Sequence, residues 1–424
     1  MDNRIYLPRL VDKQVALNLR AFGAICIEGA KWCGKTWTSR HHSKSAIYLG
    51  DPSENFQNKE LMKLAPKIAL DGEVPRLIDE WQELPSVWDM VRHEVDKRGR
   101  KGQFILTGSS TPVQKGILHS GAGRISTIRM RPMSLFESKD SSGQVSLQSI
   151  FDGTFEATAS PKTDLQTLIE LTIRGGWPGS LGLSYEEYSI IPKEYISSIV
   201  NHDIYRLEGI NRDSKKMHRL LKSLARNEST TASISTLRED SKEYQDDTLD
   251  NDTISTYLTL FERLFLIDNQ KAFSSNIRSA TRIKQSDKRH FVDPSLAIAL
   301  LEASYDDLLN DLNTFGFMFE ALCERDLRIY AESLGGGLYH YQDYKNREID
   351  AVVQLEDGRW GAFEIKLGAD AIDNAAKSLV KIRDALKAEG ARIPDVLVVI
   401  CGLSSFAYRR EDGVYVVQIT VMGP

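Results

Sequence analysis

The chain has 424 residues, 41% hydrophobic and 27% charged, with a formal net charge of -5. Those proportions are those of a globular protein with about two to four domains, and the acidic balance excludes a wholly basic nucleic-acid coat while allowing a local basic face. The four cysteines, Cys26, Cys33, Cys323 and Cys401, have neither zinc spacing nor disulfide density. The first residues, MDNRIYLPRLVDKQ, lack the apolar centre of a signal peptide, and no run of about 18 apolar residues occurs. The expectation is a cytoplasmic protein with no membrane span.

From Val11 to about Glu137, short apolar runs alternate with helical patterns: AICIEG, AIYL, RLIDE and FILTGSS each end in small or acidic residues. This rhythm predicts a parallel sheet with crossover helices, whose chemistry gathers at the carboxyl ends of the strands. The first run leads into Gly29-Ala30-Lys31-Trp32-Cys33-Gly34-Lys35-Thr36, the pattern G-x-x-x-x-G-K-T between a strand and a helix. In that pattern the glycines let backbone N–H groups close on phosphate, with the following helix start adding partial positive charge. Lys35 meets the β- and γ-phosphates and Thr36 ligates magnesium. RLIDEW then delivers Asp79 to the metal and Glu80 to polarise an attacking water. In FILTGSS, Thr107 or Ser109 is placed to sense the γ-phosphate, although turn chemistry alone explains such residues nearly as well. Arg124, Arg129 and Arg131 in GRISTIRMRP are candidate transition-state charge donors, in cis or from a neighbouring subunit, and Arg124 is the favoured one.

ESKDSSGQ marks the edge of this module, and LQTLIELTIRGGWPGSL reads as a helix closed by a glycine-proline breaker. Between Asp213 and Phe273 helices are broken by polar turns. Asp252 or Thr253 is the expected cap of a helix with Ile254, Tyr257, Leu258, Phe261, Leu264 and Phe265 on its apolar face. FLIDNQKAF alternates like a strand, and a basic stretch with Arg278, Arg282, Lys284, Lys288 and Arg289 follows as a hairpin. Helices followed by a basic hairpin resemble a winged helix. The helix Thr253 to Arg263 carries few basic residues, so DNA binding and an interdomain contact are equally good readings. His202, His218, His290 and His340 lack metal-ligand spacing.

The motifs EGAKWCGKTW, LIDEWQELP, FILTGSS, GRISTIRMRPMSLFE and RGGWPGSL together resemble the AAA+ ATPases with a C-terminal domain of unknown function, DUF4143. The resemblance spans nearly the whole chain. It implies ATP and Mg2+ as cofactors, is compatible with a homo-oligomer, and implies no known substrate.

In the last quarter, REIDAVVQLEDGRWGAFEIKLG places Asp350 on one strand and Glu364 and Lys366 on the next. This order resembles the PD-(D/E)xK nuclease superfamily. Asp350 and Glu364 would hold metal while Lys366 stabilises developing charge, with Glu320 of the preceding apolar helix as third carboxylate. A solvent-facing ion pair on a strand gives the same E-x-K pattern.

The expected architecture is α/β, in four parts. Residues 1–140 form the P-loop ATPase core, 141–212 a helical extension, 213–294 a winged-helix-like module and 295–424 the nuclease-like α/β domain. The expected function is ATP hydrolysis coupled to a C-terminal domain that acts on or binds nucleic acid, DNA before RNA. Two alternatives stay open: a regulatory or scaffold ATPase with an inactive nuclease-like domain, and an ATP-bound DNA-binding regulator.

Overall fold

The computed structural model describes residues 5–53, 56–110, 119–159, 163–204, 213–242, 249–274 and 286–424. The apolar runs of the N-terminal third form strands β1 (Ala24–Glu28), β2 (Ser45–Tyr48), β3 (Arg76–Asp79), β4 (Phe104–Gly108) and β5 (Ile125–Arg129). They make one sheet in the order β2-β3-β4-β1-β5, with every pairing parallel. Parallel strands covered on both faces read as continuous apolar runs, not as alternation. Accordingly Ile25, Ile27 and Ile105 pack with Val15 of helix Asp12–Ala21. On the other face Ala24, Cys26, Phe104 and Leu106 pack with Val87, Val91 and Val95 of helix Val87–Arg98. Because β1 has β4 and β5 as neighbours, the chain leaving it crosses to the far edge. The carboxyl ends of β1, β3 and β4 then border one crevice, where such sheets take their ligands.

The C-terminal quarter forms a second sheet. Short β6 (Val145–Ser146) and β7 (Thr158–Ala159) are followed, much later, by β8 (Gly337–Gln342), β9 (Glu348–Gln354), β10 (Trp360–Lys366), β11 (Val396–Cys401), β12 (Phe406–Arg409), β13 (Tyr415–Val417) and β14 (Met422–Gly423). Seven of these lie in the order β7-β12-β13-β11-β10-β9-β8, and β14 pairs with β6. Helix Leu312–Ser333 covers one face through Phe315, Phe319 and Leu322 against Phe363, Ile365 and Ile400. Helix Ile372–Ala388 covers the other through Ala375, Ala376 and Leu379 against Trp360, Ala362 and Val399. Residues 145–146 and 158–159, expected in a separate helical extension, therefore complete C-terminal sheets.

Between the sheets lie helices Leu165–Arg174, Ile191–Ser198, Ser214–Arg226, Ile234–Asp240, Asn251–Arg263 and Pro294–Leu301. The six apolar positions expected on the face of helix Asn251–Arg263 and its end are all buried. Its cap is Asp250, not Asp252 or Thr253: the Asp250 carboxylate accepts from Thr253 N at 2.7 Å. The expected strand at FLIDNQKAF is reduced to single bridges, Ile267 to Phe291, Gln270 to Lys288 and Ala272 to His340. Arg278, Arg282 and Lys284 lie outside the described residues, and Lys288, expected on an exposed basic wing, is buried.

The RGGWPG stretch gains its reason here. A Cβ on Gly176 would come within 2.2 Å of Met133 O, so only glycine allows the helical module this close to the ATPase core. Gly176 N and Trp177 Nε1 then donate to Asp293 Oδ2 and Ser295 Oγ at 2.9 and 3.0 Å. Among the described residues no helix is long and apolar enough to cross a membrane.

Candidate nucleotide site

Gly29 to Thr36 forms the loop between β1 and helix Lys35–His41. A Cβ on Gly29 would come within 2.0 Å of Met130 O, and Gly34 has a φ of 104°, in the left-handed region that favours glycine. Lys35 is buried and its Nζ donates to Ala30 O at 2.8 Å, so the ammonium is folded over its own loop. Cys33 contributes its carbonyl, which accepts from Arg9 Nη1 at 2.7 Å. Trp32 is left on the surface. Lys31 reaches Asp203 Oδ1 at 2.6 Å.

Asp79 ends β3, and two hydroxyls converge on its Oδ1: Thr36 Oγ1 at 3.0 Å and Thr107 Oγ1 at 2.6 Å. Thr107 sits on β4, the strand between β1 and β3, and accepts from Glu80 N at 3.0 Å. One hydroxyl thereby ties the ends of β3 and β4 together. Its present role is to hold Asp79 and the Glu80 backbone, beside any contact with a γ-phosphate. Glu80 itself takes a left-handed φ of 56°. Its Oε2 accepts from Ser109 Oγ at 3.0 Å and from Gln82 Nε2.

Gly34, Lys35, Thr36, Glu80 and Ser109 border a cavity of about 1550 Å³ whose other walls are the helical module, through Pro178, Leu183, Ile191 and Ile199, and the N-terminal residues Ile5, Tyr6, Leu7 and Arg9. That last wall has no signature in the sequence, because a lone Arg9 and Tyr6 carry no spacing pattern. Arg9 is buried, with Nε on Glu137 Oε1 at 3.0 Å and Nη2 on Arg131 O at 2.9 Å. Tyr6 stacks on His41 with ring centres 4.2 Å apart.

The donor set fits magnesium. The ion takes few protein oxygens, completing its shell with phosphate and water, and the Thr36 hydroxyl and Asp79 carboxylate are adjacent hard oxygen donors. When bound there it would neutralise phosphate charge.

Arg124 lies away from its own chain's site. Its carbonyl accepts from Ala24 N, at the start of β1, and its guanidinium pairs with Asp96 at 2.9 Å on the surface. The loop follows Glu28 at the opposite end, about 15 Å away at strand rise, so Arg124 cannot serve its own chain's nucleotide. Arg129 and Arg131 start nearer the loop but turn away. Arg131 pairs with Asp268 at 2.6 Å and with Glu332, and Arg129 lies 3.6 Å from Asp268.

The C-terminal carboxylates divide into two groups. Lys366 Nζ lies 3.1 Å from Asp350 Oδ2 and 2.8 Å from Glu364 Oε2, and Asp350 Oδ2 also accepts from Ile365 N at 2.8 Å. Burial, with the Asp350 charge behind it, pushes Glu364 up to about 8. Glu320 is turned instead to Lys288, whose Nζ also donates to Glu324 Oε1 at 2.9 Å and Asp350 O at 3.1 Å. The expected third metal carboxylate is thus the counter-charge of a buried lysine. Among the described residues no group of three or more His, Cys, Asp and Glu side chains is arranged to hold a metal ion.

His290, without a role in the sequence reading, is buried beside this lysine, with Nδ1 3.0 Å from Glu228 Oε1 and Nε2 2.9 Å from Glu324 Oε2. Burial works against its charge, but the two glutamates raise it to about 9, while Lys288 and His290 hold Glu324 down to about 2 against its own burial. A histidine raised above its ordinary 6.5 lends stability that is full below about pH 6.5 and lost as pH climbs through about 9, at up to about 1.4 kcal/mol per pH unit. The urea midpoint is therefore expected to fall between pH 6.5 and 9 in the parent and to fall less in His290→Gln; equal slopes would contradict the assignment.

Sheet and loop together define a P-loop ATPase domain. Family models match an AAA domain over residues 21–139, a domain of unknown function (DUF8612) over 165–307 and DUF4143 over 315–422. The chain thus carries an AAA domain at its N-terminal end and a DUF4143 domain at its C-terminal end. It is similar to the uncharacterized proteins Mb2031c of Mycobacterium bovis and Rv2008c of Mycobacterium tuberculosis, 25% identical to each over 346 residues, 81% of this chain and 70% of theirs. It is also similar to the Walker-type ATPase PABY2304 of Pyrococcus abyssi, at 14% identity and a TM-score of 0.42, over 70% of this chain and 99% of that one.

Proposed function

We propose that the chain binds and hydrolyses ATP in the crevice between the AAA domain and the helical module, with magnesium as cofactor. The observation that carries this reading is the convergence of Thr36 and Thr107 on Asp79 Oδ1, with Glu80 beside them at the cavity wall. Gly29 to Gly34 wraps the phosphates, Lys35 leaves Ala30 O for the β- and γ-phosphates, and Thr36 and Asp79 hold the magnesium. Glu80 takes the proton of the attacking water. The C-terminal domain serves in this reading as the other side of an interdomain joint and not as a cleavage centre. Two lysines supply the favourable charge that its carboxylates need: Lys366 for Asp350 and Glu364, Lys288 for Glu320 and Glu324.

Trp32 and Trp37 line the cavity and report on its occupancy. ATP with Mg2+ is expected to change the intrinsic fluorescence of the parent in a saturable way. Lys35→Ala is expected to weaken ATP binding at least about 100-fold, since it removes the side chain that meets the β- and γ-phosphates. Equal affinity in the two proteins would sink the assignment.

A further inference from the structure

Phosphoryl transfer needs positive charge on the γ-phosphate oxygens as the bond to the leaving oxygen opens, and Arg124 cannot supply it in cis. Among the described residues the cations lining the cavity are Arg9, Lys31 and Lys35. Lys35 has the usual P-loop duty. Arg9 is committed through all three guanidinium nitrogens, to Glu137, Cys33 O and Arg131 O. Lys31 remains, the third residue of the loop, with its side chain 39% exposed and its ammonium on Asp203 Oδ1.

Asp203 comes from a different module, the last residue of the π-helical turn Ile199–Asp203. Such turns interrupt helices frequently at functional sites. The residue is buried, it lines the same cavity, and its Oδ2 accepts no hydrogen bond among the described residues. The ammonium side of the pair is open to solvent at the cavity, so a phosphate can compete for it.

The geometry points to Lys31 as the catalytic cation that this chain supplies to its own nucleotide, with Asp203 as the residue that positions it. The inference rests on the ATPase reading. With ATP in the loop, Lys31 Nζ passes from Asp203 to the γ-phosphate oxygens. The water oxygen bonds to the γ-phosphorus, the bond to the bridging oxygen breaks, and its electron pair leaves with ADP. The water proton passes to Glu80 and then to solvent, so ATP and water become ADP, phosphate and a proton.

The test uses the full chain, with ATP turnover measured beside the binding of ADP and of ADP with aluminium fluoride. Lys31→Met is expected to lower kcat about 100-fold or more, as removal of one transition-state donor does. ADP affinity stays within about threefold, since ADP has no γ-phosphate, while the extra affinity for aluminium fluoride is lost. Lys31→Arg keeps the charge and is expected to stay within about tenfold of the parent kcat. Asp203→Asn releases the lysine and is expected to lower KM for ATP, a change that a purely structural contact would not produce. A Lys31→Met protein with parental kcat overturns the role of Lys31 alone. Loss of ADP binding in that variant overturns it as well, by making the residue structural. A parent that turns over no ATP brings down this inference together with the ATPase reading.

Discussion

Glu80→Gln is expected to bind ATP within about threefold of the parent and to lose hydrolysis by about 10²- to 10⁴-fold, the range spanned by general acid–base groups. The substitution keeps the size of the side chain and an oxygen able to accept from Ser109 Oγ, so the cavity wall is retained. What it removes is the carboxylate that takes a proton from water. The position is specified from the backbone upward: Glu80 N is fixed by Thr107 Oγ1, its φ of 56° turns the side chain out of the strand direction, and Ser109 and Gln82 hold the carboxylate. Parental turnover in Glu80→Gln, measured as phosphate release, would remove Glu80 from the mechanism.

The second large effect is expected at Lys288. Lys288→Met keeps the aliphatic stem but leaves Glu320 and Glu324 without the ammonium that lies between them. Breaking one partner out of a buried charge group typically costs about 3–5 kcal/mol. Burial already raises Glu320 to about 8 with the lysine present. Without it Glu320 would titrate higher still, while Glu324 would keep only His290 as its counter-charge, and an acid raised in this way destabilises most when ionised. The deficit of Lys288→Met relative to the parent should therefore be larger at about pH 9 than at about pH 6, since the parent's Glu320 ionises as pH rises through about 8 and the variant's does not. Urea unfolding at both pH values checks this. A deficit below about 1 kcal/mol, the scale of an exposed ion pair, would contradict the buried joint.

What the sequence revealed was local. Eight consecutive residues define the phosphate loop, and β1, β3 and β4 were legible because burial on both faces makes them unbroken apolar runs. Thr107 could be placed at a strand end but not paired with Asp79, because that pairing depends on β4 lying between β1 and β3. The cis alternative for Arg124 could not be set aside for the same kind of reason: proximity along the chain does not say which end of a strand a residue occupies. Lys288 reads as part of a basic surface stretch, and only the fold brings in Glu320 and Glu324, 32 and 36 residues away. One signal was available. Two glutamates four apart on the apolar helix Leu312–Ser333 share a face and require a cation. The two-residue strands β6 and β7 carry no periodicity that could have announced them.

ATP hydrolysis is decided by phosphate release from the full chain in the presence of Mg2+, compared with Lys35→Ala prepared in parallel. Saturable release by the parent and none by Lys35→Ala is the predicted result. Equal release by the two proteins, or binding without any release by the parent, would contradict it.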